Sequence, residues 1–162
     1  MRVNLESITE DSEASESYVR FRLDGKPHGK DRMRYRNAGR YIQGYTPRET
    51  KIYEQKAAEE YIRAGGIMID EPVWVTIISC FQIPKSASKK EQEAMRNYEI
   101  VPNSRPDIDN VEKAILDGLR GVAYHDDTQV ALELSMRCYA DDPGVEVTVQ
   151  TLPGTRFRRA RC

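Results

Sequence analysis

The sequence predicts a mixed α/β (α+β) fold: one compact domain, with a mixed sheet of about five strands and about three helices. Two observations carry this expectation. Strand-sized runs with period-two alternation, such as YVRFRL at 18–23, are interspersed with stretches whose apolar residues recur at helical spacing. Their order is not the regular strand–helix alternation of a doubly wound sheet. The length of 162 residues suits one domain, and a hydrophobic fraction of 39% allows a core of modest size.

The elements follow in order. Residues 1–17 are acidic and Ser/Glu-rich, and read as a mobile arm before a domain over 18–152. After the strand at 18–23, GKPHGKD reads as a loop. RMRYR alternates, so Arg32, Arg34 and Arg36 share one strand face, and AGRYIQGY turns into a short second strand. TPRETKIYEQKAAEEYIRAGG reads as a helix with Thr46 as N-cap, Pro47 in the first turn, Glu49 completing a capping box, and Gly65 and Gly66 ending it. PVWVTIISCFQI, 72–83, is the most apolar strand and is expected at the centre of the sheet. SASKKEQEAMRNY reads as a polar helix capped by Ser86 or Ser88, EIVPNSRP as a loop, and DIDNVEKAILDGL as a third helix. VALELSMRCYA and GVEVTVQTL are strands joined by the turn DDPG, a hairpin signal. Residues 153–162 form a basic tail containing RFRRAR.

The composition excludes several classes. The longest apolar run, VWVTIIS, is strand-sized, so no membrane span is expected. The N-terminus has no apolar segment of secretory type. Cys80, Cys138 and Cys162 are scattered without CxxC spacing, which argues against a disulfide framework and a zinc site; a reducing, cytoplasmic setting fits. The net charge of −1 hides a strong asymmetry: residues 20–56 carry eleven Lys/Arg against four Asp/Glu. Tyrosines are interleaved with these cations, which points to nucleic acid.

The chemistry concentrates in RPDIDN, 105–110, and YHDDTQ, 124–129. Singly, each aspartate has a bland explanation. Asp109 with Glu112 is a capping box, Asp107 suits a helix dipole, and Asp126 with Asp127 suits a turn. A cap needs one carboxylate, however, not two. In the helix between the pairs, Val111, Ile115 and Leu119 make an apolar face, Asn110, Ala114 and Gly118 a small-residue face, and Asp109, Lys113 and Asp117 a polar face. Two or three aspartates suit a hard divalent cation such as Mg²⁺, and a nearby lysine suits charge developing on a phosphate. That combination fits phosphodiester hydrolysis. His125 and His28 read as ordinary residues.

RPDIDNVEKAILDGLRGVAYHDDTQV resembles the signature of the RusA-type endodeoxyribonucleases, the Holliday junction resolvases of bacteria and their prophages. That signature is P-D-x-D-N-x-x-K, a helix ending D-A-L-N, then D-D-x-Q. PHGKDRMRYRNAGRYIQGYTPRETKIYE is similar to the family's Arg-rich N-terminal segment, and the likeness covers roughly 18–150. The resemblance implies a RusA-like compact domain in a homodimer that cuts four-way DNA junctions with Mg²⁺, Mn²⁺ being an alternative. It places the acidic site on Asp107, Asp109 and Asp127, with Asp126 a weaker candidate, and the catalytic lysine on Lys113. This chain has D-G-L-R where D-A-L-N is usual, and the acidic arm and basic tail lie outside the pattern.

Both pairs are therefore expected in one site, folded together by the helix between them. Lys30, Arg32, Arg34, Arg36 and Arg40 are expected to hold DNA phosphates, with Arg48 and Lys51 at the start of the first helix. A four-way junction has approximate two-fold symmetry, which a C2 dimer matches with two equivalent sites. The rival readings are a nuclease for flaps or forks, a non-catalytic DNA-binding phage accessory protein, and a phosphatase for small esters.

Overall fold

The computed structural model describes residues 18–37 and 39–158, so the expected N-terminal arm and the last residues of the basic tail lie outside the described residues. The elements are β1 (Tyr18–Asp24), β2 (Arg34–Asn37), β3 (Ile42–Tyr45), α1 (Arg48–Arg63), β4 (Val73–Gln82), α2 (Lys89–Arg96), α3 (Ile108–Leu119), β5 (Val130–Ala140) and β6 (Gly144–Thr151). A single 3-10 turn, Asp127–Gln129, leads into β5.

Four strands form one mixed sheet in the order β1-β6-β4-β5. β4 takes the interior position that its apolar sequence suggested, antiparallel to β6 and parallel to β5. This overturns the hairpin expected at DDPG. β5 and β6 follow each other in sequence, yet β4 lies between them. The turn residues reverse the chain, but β4 exchanges its backbone hydrogen bonds with both strands. β2 and β3 form a separate two-stranded ribbon, so the sheet content divides four and two.

The alternation along each strand decides its faces. In β1, Phe21 and Leu23 are buried, while Arg20 and Arg22 point the other way and pair with Glu146 of β6 at 2.5 and 3.0 Å. Val73, Val75 and Ile77 of β4 and Val145, Val147 and Val149 of β6 complete the apolar face. Ala57 and Tyr61 of α1 and Val111, Ile115 and Leu119 of α3 join them in one core cluster. The i, i+4, i+8 face of α3 is thus its core face. The small-residue face is used as well. Gly118 abuts α1, where an added Cβ would stand 2.5 Å from the Glu54 carbonyl oxygen.

Helix starts differ in part from expectation. α2 is capped by Ser88, whose side chain accepts from the Glu91 amide while the Glu91 side chain accepts from the Ser88 amide. α1 starts one residue later than expected. Pro47 occupies its N-cap position without a side-chain bond, so Thr46 and Glu49 form no capping box. Pro47 has φ −54° and ψ 148°, extended backbone that leads into the helix without a polar side chain.

Candidate active site and DNA-facing surface

Asp107 is the N-cap residue of α3, and Asp109 lies in its first turn. The capping-box explanation for Asp109 fails, while Asp107 does sit where the helix dipole favours a carboxylate. The Asp107 side chain makes no cap hydrogen bond, and Asp109 lies inside the first turn rather than at the cap, so the expected Asp109–Glu112 capping box does not form. Asp109 instead accepts from the Lys113 ammonium at 3.1 Å, one turn along the same face. This bond, followed by the attraction of the ammonium charge, holds the Asp109 carboxyl below the usual aspartate range. Both side chains are more than half exposed, so the pair adds little to stability and remains open to a ligand.

The approach to Asp107 is fixed from two sides. Arg137 of β5 donates to the Ser104 carbonyl while its guanidinium packs 4.8 Å from the Phe81 ring centroid. On the other side, the Lys30 amide donates to the Asn110 carbonyl at 2.7 Å. Gly29 makes that approach possible, since a Cβ there would meet Pro106 Cβ at 2.7 Å and Asn110 Cβ at 3.0 Å. Between these segments lies an open groove of about 790 Å³, lined by Lys26, His28, Arg32, Arg105, Asp107 and neighbours. Among the described residues, the ion pairs at this groove are those of Lys30, leaving Arg32 and Arg105 free of carboxylate partners. His28 packs against Tyr53 with ring centroids 5.3 Å apart, and its Nε2 lies 3.8 Å from Asp31 Oδ2. A groove with free guanidinium groups beside the Asp107 carboxylate is suited to a phosphodiester.

The second acidic pair is elsewhere. Asp126 caps the 3-10 turn, accepting from the Thr128 amide at 3.0 Å, and that bond lowers its pKa. Gln129 explains the glutamine of D-D-x-Q. Its buried amide oxygen accepts from the His125 and Asp126 amides at 2.7 and 3.2 Å, and its nitrogen donates to the Ile69 carbonyl at 3.0 Å. The turn is therefore anchored, with the Asp127 side chain not used as its cap. His125 contacts the exposed Asp70 at 2.8 Å.

The two pairs are not brought together within one chain. Asp107 and Asp109 lie at the start of α3, and Asp126 and Asp127 beyond its far end, where Tyr124 donates to the Leu116 carbonyl. The helix has 12 residues, hence a length of about 18 Å. Among the described residues, no group of three or more His, Cys, Asp or Glu side chains could hold a metal ion. The expected single-chain cage of Asp107, Asp109 and Asp127 is thus corrected, because the helix separates the pairs. The Asp107–Asp109 pair by itself still suits Mg²⁺, which takes one or two carboxylates and keeps several waters.

The expected DNA contacts divide. Arg32, Arg34, Arg36, Arg40, Arg48 and Lys51 are exposed. Lys30 is not a free surface cation. Its ammonium is bound to Asp117 of α3 and lies 3.8 Å from Glu54 of α1, so it ties the two helices together. Arg120, in the unusual D-G-L-R helix end, pairs with the same Asp117 at 3.2 Å. Sequence reasoning did not single out Arg105, although it belongs to the RPDIDN segment and lines the groove. Arg137 gave no signal, being a lone arginine in an apolar strand.

No helix among the described residues is long and apolar enough to cross a membrane. Comparison with known proteins identifies the family. Residues 24–150 match the family model described as endodeoxyribonuclease RusA. The chain is also 29% identical over 143 residues to the uncharacterized protein YqaN of Bacillus subtilis (strain 168), a match covering 82% of this chain and 95% of that protein. The matched segment runs from the end of β1 through the carboxylate pairs to β6, and the chain belongs to the RusA endodeoxyribonuclease family.

Proposed function

We propose that the protein is a Mg²⁺-dependent endodeoxyribonuclease that resolves four-way DNA junctions by paired phosphodiester hydrolysis. The observation that carries this reading is the carboxylate pair Asp107–Asp109 at the start of α3, with Lys113 bonded to Asp109 and Asp107 lining a cationic groove, inside the family match. Asp107 and Asp109 would hold the metal, with Asp127 as a third donor. A bound Mg²⁺ would supply an activated water and neutralise charge on the phosphate. Lys113, positioned by Asp109, stabilises negative charge at the reacting phosphate. Arg32 and Arg105 orient the strand in the groove, and the remaining cations hold flanking phosphates without reading sequence.

A homodimer accounts for the separation of the acidic pairs. An isologous partner lying antiparallel along β5 sets the far end of one α3 beside the near end of the other, so that Asp127 of one copy joins the Asp107–Asp109 pair of the other. β5 is an edge of the sheet, and Leu132, Leu134 and Met136 are exposed on one of its faces, a row suited to cover by a second copy. Two such sites match the two-fold symmetry of a four-way junction.

The test is a synthetic four-way junction, labelled on each strand in turn and incubated with Mg²⁺ or with EDTA. The expected result is nicks in symmetric pairs, present only with Mg²⁺. Preferred cutting of flaps or forks would replace the junction assignment, and DNA binding without nicks under Mg²⁺ or Mn²⁺ would overturn the nuclease reading.

A further inference from the structure

The β2–β3 ribbon has two unlike faces and no core beneath either. Residues directly opposite in an antiparallel pair share a face. Arg34 pairs with Tyr45 and Arg36 with Gln43, which gives one polar face. There the Arg36 guanidinium donates to Gln43 Oε1 at 2.8 and 3.0 Å and lies 6.0 Å from the Tyr45 ring centroid. Tyr35 pairs with Gly44 and Asn37 with Ile42, which gives the opposite face. Gly44 leaves room on this second face. A Cβ there would meet Met33 Cε at 2.9 Å and the Tyr35 ring at 3.2 Å, so both side chains lie across the glycine. The result is an apolar surface in water: Met33, Tyr35 and Ile42 are 53%, 70% and 75% exposed.

Such a ribbon is marginal by itself, and an uncovered apolar face on it marks a contact surface. The charges identify the occupant. Arg34 and Arg36 stand on the opposite face and Arg32 just precedes the ribbon, all exposed, so the element offers cations and a planar ring from one narrow stalk. Intact duplex presents phosphates but hides its base faces. Only unpaired or unstacked bases offer both an anion and an apolar plane, and stacking on aromatic side chains is indifferent to sequence.

We infer that the β2–β3 ribbon probes the branch point of DNA: Tyr35, supported by Met33 and Ile42, stacks on nucleobases unstacked at the crossover, while the arginine face holds the adjoining phosphates. This deepens the junction-nuclease reading and rests on it for the choice of substrate. It separates two tasks. The arginines supply affinity for any DNA, and the apolar face supplies preference for branched over linear DNA. Tyr35 and Ile42 stand on the ribbon, apart in sequence from the α3 carboxylates, so the role assigned to them is recognition and not chemistry.

The experiment uses the full chain in EDTA, with a four-way junction carrying 2-aminopurine at the crossover and a linear duplex of the same sequence. The wild type should raise the 2-aminopurine fluorescence. Tyr35→Ala and Ile42→Ala should abolish that rise and reduce the preference for junction over duplex by roughly tenfold. They should leave the slope of affinity against salt unchanged. Arg34→Ala should do the reverse, weakening both DNAs alike and lowering the salt slope by about one. Circular dichroism checks that each variant is folded, the altered side chains being exposed. Unchanged junction preference and fluorescence in Tyr35→Ala and Ile42→Ala would overturn the inference. Loss of dimer in sedimentation by Tyr35→Ala would also overturn it, by assigning the face to a second copy, and so would a wild type that binds no DNA. A wild type that gives the fluorescence rise but never nicks with Mg²⁺ would sink the nuclease reading and leave this inference standing.

Discussion

The Lys113 ammonium lies 3.1 Å from the Asp109 carboxylate, one turn further along α3. Each residue sets the other: the lysine holds the carboxyl below the usual aspartate range, and the carboxylate holds the ammonium on its own face of the helix. Replacing Lys113 with alanine removes the leading cause of the depressed Asp109 pKa, so that pKa should rise toward the ordinary aspartate value of about 3.9. Carboxyl-carbon NMR across an acid titration measures this. The sign for stability follows from linkage. The Asp109–Lys113 pair contributes fully above about pH 3.9, the unfolded value, and its contribution is lost as pH falls through the lower folded-state pKa. Both groups are exposed, so the stability change is small, and DNA cleavage should suffer far more than folding.

Asp107 begins α3 and Asp127 lies beyond its far end, and the proposed dimer draws the two from different copies. Asp107→Asn and Asp127→Asn should each be inactive alone. Mixed and allowed to exchange subunits, they should regain nicking, because one of the two sites in each mixed dimer has neither substitution. Gel assays of the separate and mixed proteins check this. A mixture as inactive as its components would place both aspartates in one chain's site.

Gly118 tests the close contact between α1 and α3. Alanine there gains about 1 kcal/mol of helix propensity. Its Cβ meets the Glu54 backbone oxygen at 2.5 Å, however, and a backbone atom yields less easily than a side-chain tip. Overpacking of this kind costs about 1–3 kcal/mol, so Gly118→Ala should be neutral to destabilising, by up to about 2 kcal/mol. Because Lys30 bridges Glu54 and Asp117 across the same contact, the variant should also loosen loop 26–32 beside the groove. Denaturant unfolding and amide exchange at Lys30 measure the two effects.

The sequence and the structure agree best where the signal is local. The core face of α3 is legible in the spacing of Val111, Ile115 and Leu119, and the Gly118 contact in the small-residue face. Ser88 as the cap of α2 and the central place of β4 follow from local chemistry in the same way. The failures are long-range. DDPG has hairpin chemistry, but a turn cannot reveal that β4, from a distant segment, lies between β5 and β6. The carboxylates were legible as residues and not as an arrangement, since short separation along the chain says nothing about opposite ends of a helix. Lys30 looked like a DNA contact because Asp117 and Glu54 are remote in sequence, and Arg137 is meaningful only because Ser104 lies against it.

The central claim is that the carboxylates of α3 carry out DNA hydrolysis instead of shaping the fold. The most direct measurement is single-turnover cleavage of a labelled four-way junction with Mg²⁺ by the wild type and by Asp109→Asn, at saturating protein. Asparagine keeps the size and loses the charge, and Asp109 is not the N-cap residue of α3. The account predicts unchanged folding, retained junction binding, and nicking reduced by about a hundredfold or more. Nicking by Asp109→Asn within a few fold of wild type would contradict it, and would return Asp109 to the role of a surface partner for Lys113.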